Sequence, residues 1–240
     1  MFEPVKAALG AYMSGFYARI RPTTKPLNEY IARGMPYSVV MAPTKLVDEV
    51  EKMLLAWQRN DTYTATTRPA KLPVIFVGVA QDYTPTSREY TRQISNPIDV
   101  ALPGDSLNRV FKLSTIAGDI RAQIAFVAAE EPTAKSLAAQ FALYIDAPQN
   151  RRFLVPWTFA GATNNWACTL ETPETPASRV QTENYDCVIL VMDLTLRTTV
   201  PLFEAPGVGD PNDGQGTPGT DNPAGYPVAL EVNDYSHYEQ

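Results

Sequence analysis

The sequence predicts an α+β fold: a central, mostly antiparallel sheet with long hairpin strands, packed by two or three helices and followed by a flexible C-terminal arm. Three observations carry this. Ile120, Ala122, Ile124 and Phe126 alternate with Arg121 and Gln123, the two-residue period of a half-buried strand. Directly after it, Leu137, Phe141, Tyr144 and Ile145 fall at helical spacing. Pro132 there suits a first helical turn, and Glu130 and Glu131 suit the positive end of a helix dipole. Beyond Phe203 the composition breaks: Pro206 to Pro227 holds 5 Pro and 6 Gly in 22 residues, with little to bury.

The remaining elements follow in order. Val5, Leu9, Tyr12, Met13, Phe16 and Ile20 mark an amphipathic helix over residues 4–20, stopped by Pro22. Pro26 to Pro36 is expected to be a connector and Tyr37–Ala42 a strand. A second helix opens at Pro43-Thr44 with Leu46, Val47, Val50, Met53, Leu54 and Trp57 on one face, and ends at Asn60-Asp61. Thr62–Arg68 is expected to be extended. Val74–Ala80 is a short, β-branched apolar run, hence a central strand.

Gln81–Gly104 is polar and punctuated by Pro85, Pro97 and Pro103, a long loop away from the core. Arg109–Ser114 is a strand and Thr115–Gly118 a turn into the next one. Phe153, Val155, Trp157 and Phe159 share one face of a strand, with Pro156 opposite marking an edge or bulge. A Gly-Ala-Thr-Asn-Asn turn (161–165) leads to Trp166–Glu171, with Trp166, Cys168 and Leu170 aligned, which completes a hairpin. After a loop over Glu171–Glu183, Tyr185–Phe203 carries the longest β-signal, with Val188, Leu190, Met192, Leu194 and Leu196 on one face. At about 3.3 Å per residue it would run on the order of 50 Å, so one end is expected to protrude and pair with a neighbour. Residues 1–203 thus read as one α+β domain, 204–227 as an acidic Pro/Gly-rich linker, and 228–240 as a segment carrying a tethered strand.

Charge and chemistry narrow the function. The net charge of −6 is concentrated at the end: 7 acids and no Lys or Arg follow Arg197, leaving 19 acids against 20 bases in residues 1–197. A nearly neutral body argues against sequence-specific nucleic-acid binding, which rests on neutralising phosphates. No apolar run reaches the roughly 18–20 residues of a membrane span, and the N-terminus does not read as a secretory signal. The two cysteines, Cys168 and Cys187, are therefore expected to be reduced, buried thiols.

Catalytic signatures are missing. His237 is the sole histidine and stands near the chain end, poorly placed for a triad. No Walker loop, nucleophile elbow or dinucleotide fingerprint occurs. No catalytic, cofactor-binding or metal-binding residue is expected. The carboxylate pairs (Glu130-Glu131, Glu49 with Glu51) read as helix ends and solvated faces. Arg151-Arg152 reads either as surface charge or as a contact for a phosphate or an acidic neighbour. Asp193 and Arg197, four residues apart on one strand face, are about 13 Å apart and each needs a cross-strand or intersubunit partner.

In the order of Ala117–Ile145, the hairpin Arg152–Glu171 and the extended Asn184–Phe203, within a span of about 90 residues, the chain resembles the tail terminator (tail completion) proteins of contractile-tailed bacteriophages. That resemblance implies a non-enzymatic virion protein that forms a hexameric ring, caps the tail tube and sheath, and docks to the neck or connector, after assembly in the host cytoplasm. The candidate interaction residues are Asp193, Thr195, Arg197, Val200 and Phe203 on the long strand, and Val228, Leu230 and Val232 in the terminal segment. The alternatives are another neck, connector or baseplate adaptor of the same particle, and a monomeric ligand-binding or hydrolytic α+β domain with loops 81–104 and 171–183 around a pocket.

Overall fold

The computed structural model describes residues 3–42, 54, 72–86, 93–103, 105, 107, 109–171, 177–180 and 187–207. The protein is α+β. Among the described residues the helices with bounds are α1 (Glu3–Tyr17), α2 (Lys25–Ala32) and α3 (Glu131–Asp146), with short 3-10 turns at Met35–Tyr37 and Pro148–Asn150. Its strands are β1 (Val39–Met41), β2 (Val74–Val79), β3 (Thr84–Pro85), β4 (Ile94–Ala101), β5 (Val110–Ala128), β6 (Arg152–Phe159), β7 (Ala162–Leu170), β8 (Ser178–Val180) and β9 (Val188–Glu204). They join in the order β1-β2-β5-β9-β7-β6, with β3 and β4 also on β5 and β8 also on β9. β1 runs parallel to β2; β2, β3 and β4 run antiparallel to β5, and β7 and β8 antiparallel to β9. The expected second helix (apart from Leu54), the extended Thr62–Arg68 and the terminal segment with its tethered strand lie outside the described residues.

The chain divides into two compact units. One is drawn from Met1–Thr86, Gly118–Val155 and Trp166–Thr198; the other from Ser87–Ala117, Pro156–Asn165 and Thr199–Gln240.

In the first unit, α1 and α3 provide the aromatic packing. Phe16 meets Phe141 edge-on at 5.0 Å between centroids, and Phe141 meets Phe126 of β5 at 5.7 Å. All three are fully buried or nearly so, each worth roughly 1.5–3 kcal/mol in transfer free energy. A second cluster gathers Leu54, Val74, Phe76, Ala125, Val127 and Ile189, so the end of β5 is covered on both faces. Thr24 ties the helices together: its hydroxyl accepts from the N–H of Leu27 as the α2 cap and bonds the Thr133 hydroxyl at 2.9 Å. The second unit is smaller. Leu102, Phe111 and Ala162 form its centre, Phe111 meets Phe159 edge-on at 5.4 Å, and Phe159 stacks on Phe203 at 5.0 Å.

Several expectations change. Residues 25–32 form a helix rather than part of a connector, because Thr24 caps it, Pro26 sits in its first turn, and Leu27 and Tyr30 recur one turn apart and are buried. The strand expected over Tyr37–Ala42 shortens to β1, its start taken by the 3-10 turn. The expected turn at Thr115–Gly118 does not exist: β5 is unbroken for 19 residues. What reads as a break is a change in which positions are buried, from Phe111, Leu113, Thr115 and Ala117 to Ile120, Ala122 and Ile124. Gly118 marks the change because a ring lies against it; a Cβ there would come within 2.7 Å of the Tyr83 side chain. The polar stretch after Gln81 is not wholly loop either, since β3 and β4 pair with β5.

The hairpin turn is tighter than expected. Only Ala160 and Gly161 lie outside the strands, both with positive φ (50° and 83°), which matches the twist of a two-residue hairpin. The Leu170 N–H donates to the Arg151 carbonyl at 2.9 Å, and Thr158 and Thr163 bond hydroxyl to hydroxyl. That register turns the N–H of Leu154 and the ring nitrogen of Pro156 away from β7, so the proline removes no ladder bond. Among the described strands β6 closes the order, which is the edge that Pro156 led one to expect.

Candidate interaction surface

Two features of the first unit bring charged side chains together. The first is a crossed ladder on β5 and β9. Arg197 on β9 reaches Asp119 on β5 (Nε to Oδ1, 2.9 Å) and Glu171 (Nη1 to Oε2, 3.4 Å). Two residues further along β5, Arg121 reaches back to Asp193 on β9 at 2.9 Å, and Gln123 donates to the same carboxylate oxygen at 2.7 Å. Acid and base thus exchange strands between one rung and the next. Alternation places Asp119, Arg121 and Gln123 on one face of β5 and Asp193, Thr195 and Arg197 on one face of β9. The Arg197 pair is sheltered, with side chains 21% and 26% exposed, whereas Arg121 and Asp193 are 53% and 56% exposed.

The second feature is a cleft of about 450 Å³ lined by Ile145, Asp146, Pro148, Arg151, Arg152, Thr169, Leu170 and Glu171. The end of α3 builds it. The last carbonyls of a helix lack intrahelical donors, and here the Asn150 amide donates to the Tyr144 carbonyl at 2.8 Å and Arg151 Nε to the Asp146 carbonyl at 3.2 Å. Arg151 also pairs with the Asp146 carboxylate at 2.7 Å. Arg152 opens β6 beside it, exposed and with no ion pair among the described residues. Ile145 and Leu170 give the cleft buried apolar groups, and Leu154, two residues along the β6 edge, is 62% exposed.

The structure places the sequence-predicted interaction residues as follows. Asp193 and Arg197 find their partners across the strands of their own chain, and Thr195 lies between them. The far end of β9, expected to protrude toward a neighbour, is instead packed: Val200 is buried and Phe203 stacks on Phe159. The reason is β5, whose unbroken length lies beside β9 and provides it a long internal partner. Val228, Leu230 and Val232 lie outside the described residues. Cys168 is buried and Cys187 half-buried, and they are not joined. Cys168 pairs in register with Thr198, while Cys187 precedes the start of β9, eleven residues from Thr198. Along an extended strand that is on the order of 30 Å, far beyond disulfide reach.

Sequence reasoning missed the cleft, although Arg151-Arg152 pointed to it. Leu154, on the polar-looking side of β6, was the further signal. Among the described residues no group of three or more His, Cys, Asp or Glu is placed to hold a metal ion, and no helix is long and apolar enough to cross a membrane. No family model matches the sequence, and no curated protein matches it significantly.

Proposed function

We propose that the chain is a structural subunit of a bacteriophage tail or neck that closes into a ring, ends the growth of tube and sheath, and offers a docking surface to the neck. The carrying observation is an open strand edge with apolar side chains on it. Among the described residues the strand order stops at β6, where Leu154 is 62% exposed, and β4 pairs with β5 alone and exposes Ile98 at 46%. Bare edges with exposed aliphatics are covered in working assemblies, because otherwise they invite indiscriminate pairing. The order of long strand, helix, hairpin and long strand supports the resemblance to tail terminators. In this reading the chain catalyses nothing, its partners are copies of itself, tube, sheath and neck or connector proteins, and it resides in the virion. A neck, connector or baseplate adaptor would share these properties, and position in the particle separates them.

Mass photometry of the purified chain, alone and with tail tube, is the test. Closed rings are the expected outcome; a chain that stays monomeric and binds neither tube nor sheath overturns the reading. The cleft beside Arg151 favours one second reading, a ligand-binding domain. Binding of a small anion there by a persistently monomeric chain would support it.

A further inference from the structure

The geometry points to an occupant for the cleft beside β6: the acidic arm, residues 208–240, of a second copy of this chain. The inference rests on the ring reading, which supplies the second copy. Three observations converge on it. The cleft joins charge to apolar surface: its two carboxylates are engaged, Asp146 with Arg151 and Glu171 with Arg197, which leaves Arg152 without a carboxylate partner among the described residues, with Ile145, Pro148 and Leu170 beside it. It adjoins the β6 edge, where Leu154 is 62% exposed and the outward backbone groups of Arg152 and Leu154 face no strand among the described residues.

The arm has the complementary chemistry. It carries Asp210, Asp213, Asp221, Glu231, Asp234 and Glu239 with no Lys or Arg, and Val228, Leu230 and Val232 alternate next to Glu231. Apolar groups beside a carboxylate are what a cleft floored by aliphatics and rimmed by arginine recognises. Reach is not limiting, since the 23 residues from Gly207 to Leu230 span at most about 80 Å. Another basic surface exists at Arg19, Arg21 and Lys25. These residues flank helix ends and none of them lines the cleft, so charge alone favours them and shape favours the cleft.

The test uses the full chain with a photo-crosslinking benzophenone residue in place of Ala229, prepared as a mixture of light and 15N-labelled copies. Crosslinks are mapped by mass spectrometry, and mass photometry is run on the same sample. Mixed-mass crosslinks onto residues 145–154 or 169–171 are expected. R152E should cut their yield tenfold or more with the thermal unfolding transition unchanged, and R152K should retain it. Crosslinks onto Arg19–Lys25, same-mass crosslinks alone, no crosslink, or indifference to R152E each overturn the assignment. Rings without the cleft crosslink would sink the arm contact and leave the ring reading standing. A mixed-mass cleft crosslink in particles that never close into rings would do the reverse.

Discussion

The two compact units solve the same problem with different means. In the first, helices α1 and α3 and the Leu54 side chain pack on the sheet, and the burial is shared among many side chains, from Val5 and Leu9 to Phe126, Phe141 and Leu196. In the second, Phe111, Phe159 and Phe203 carry most of it, with Leu102 and Ala162 filling in, while β4 leaves five of its eight residues exposed. A core shared among many side chains is held from every side and cannot collapse around a gap, so a deletion there costs the whole unit. A core of three rings relaxes or opens locally, so the same strands, β5 and β9, should be rigid at one end and more readily opened at the other.

That contrast sets the order of the expected effects. F126A or F141A removes a ring from the larger core and should cost about 3–5 kcal/mol, read from denaturant unfolding by circular dichroism. F111A should cost about 3 kcal/mol, the low end of the same range, because a small cluster relaxes around the gap more easily. Its signature is local: in hydrogen exchange, residues 94–101 and 110–117 lose protection while 120–128 keep it. Equal loss along all of β5 would show one cooperative block and abolish the comparison.

The charge ladder sharpens it within the first unit. R197A leaves Asp119 and Glu171 half-buried without their cation and should cost about 2 kcal/mol. D193A, at the exposed rung, should cost less than about 1 kcal/mol and become undetectable at high salt. Reversal of that ranking would mean that shelter does not decide the ladder's strength.

In the second unit, Arg109 donates to both oxygens of Asp105, through Nη2 at 2.7 Å and Nε at 3.1 Å. Those side-chain bonds hold the Asp105 carboxyl below the usual carboxylate range, against the opposing effect of burial. A folded value below the unfolded one means that the stabilisation is present above the unfolded value, about 3.9, and is lost as pH falls through the folded value. Carboxyl NMR titration should show the Asp105 midpoint rising in R109A, and the second unit opening at a higher pH on acidification. The smallest effect concerns the two glycines of α1. A Cβ on Gly10 meets nothing within 4 Å, so G10A should stabilise by about 0.5–1 kcal/mol. On Gly15 it would lie 2.8 Å from the Tyr144 hydroxyl, so G15A should lose most of that gain.

Much of the fold was legible in the residues because burial there follows one face. Ile120 to Phe126 alternate and β5 exists; Leu137, Phe141 and Ile145 recur at helical spacing and α3 exists; Pro156 signalled an edge and β6 is one. α2 was legible too, in Thr24, Pro26, Leu27 and Tyr30, though the prolines around it suggested a connector. The candidate site was legible only as Arg151-Arg152, a pair whose neighbours come from α3 and β7.

Periodicity is local, so by itself the sequence determined which segments could be strand or helix and where the charge would accumulate. What covers a strand is not local. Tertiary structure alone decided that Thr115–Gly118 stays extended, because Ile94 and Pro85, from earlier in the chain, pair with Thr115 and Gly118 across the sheet. It decided that Asp193 and Arg197 each pair with a residue of β5, that Val200 is buried, and that Phe203 stacks on Phe159. Each of those outcomes depends on a partner far away in the chain, and a pattern read along one segment contains no term for it.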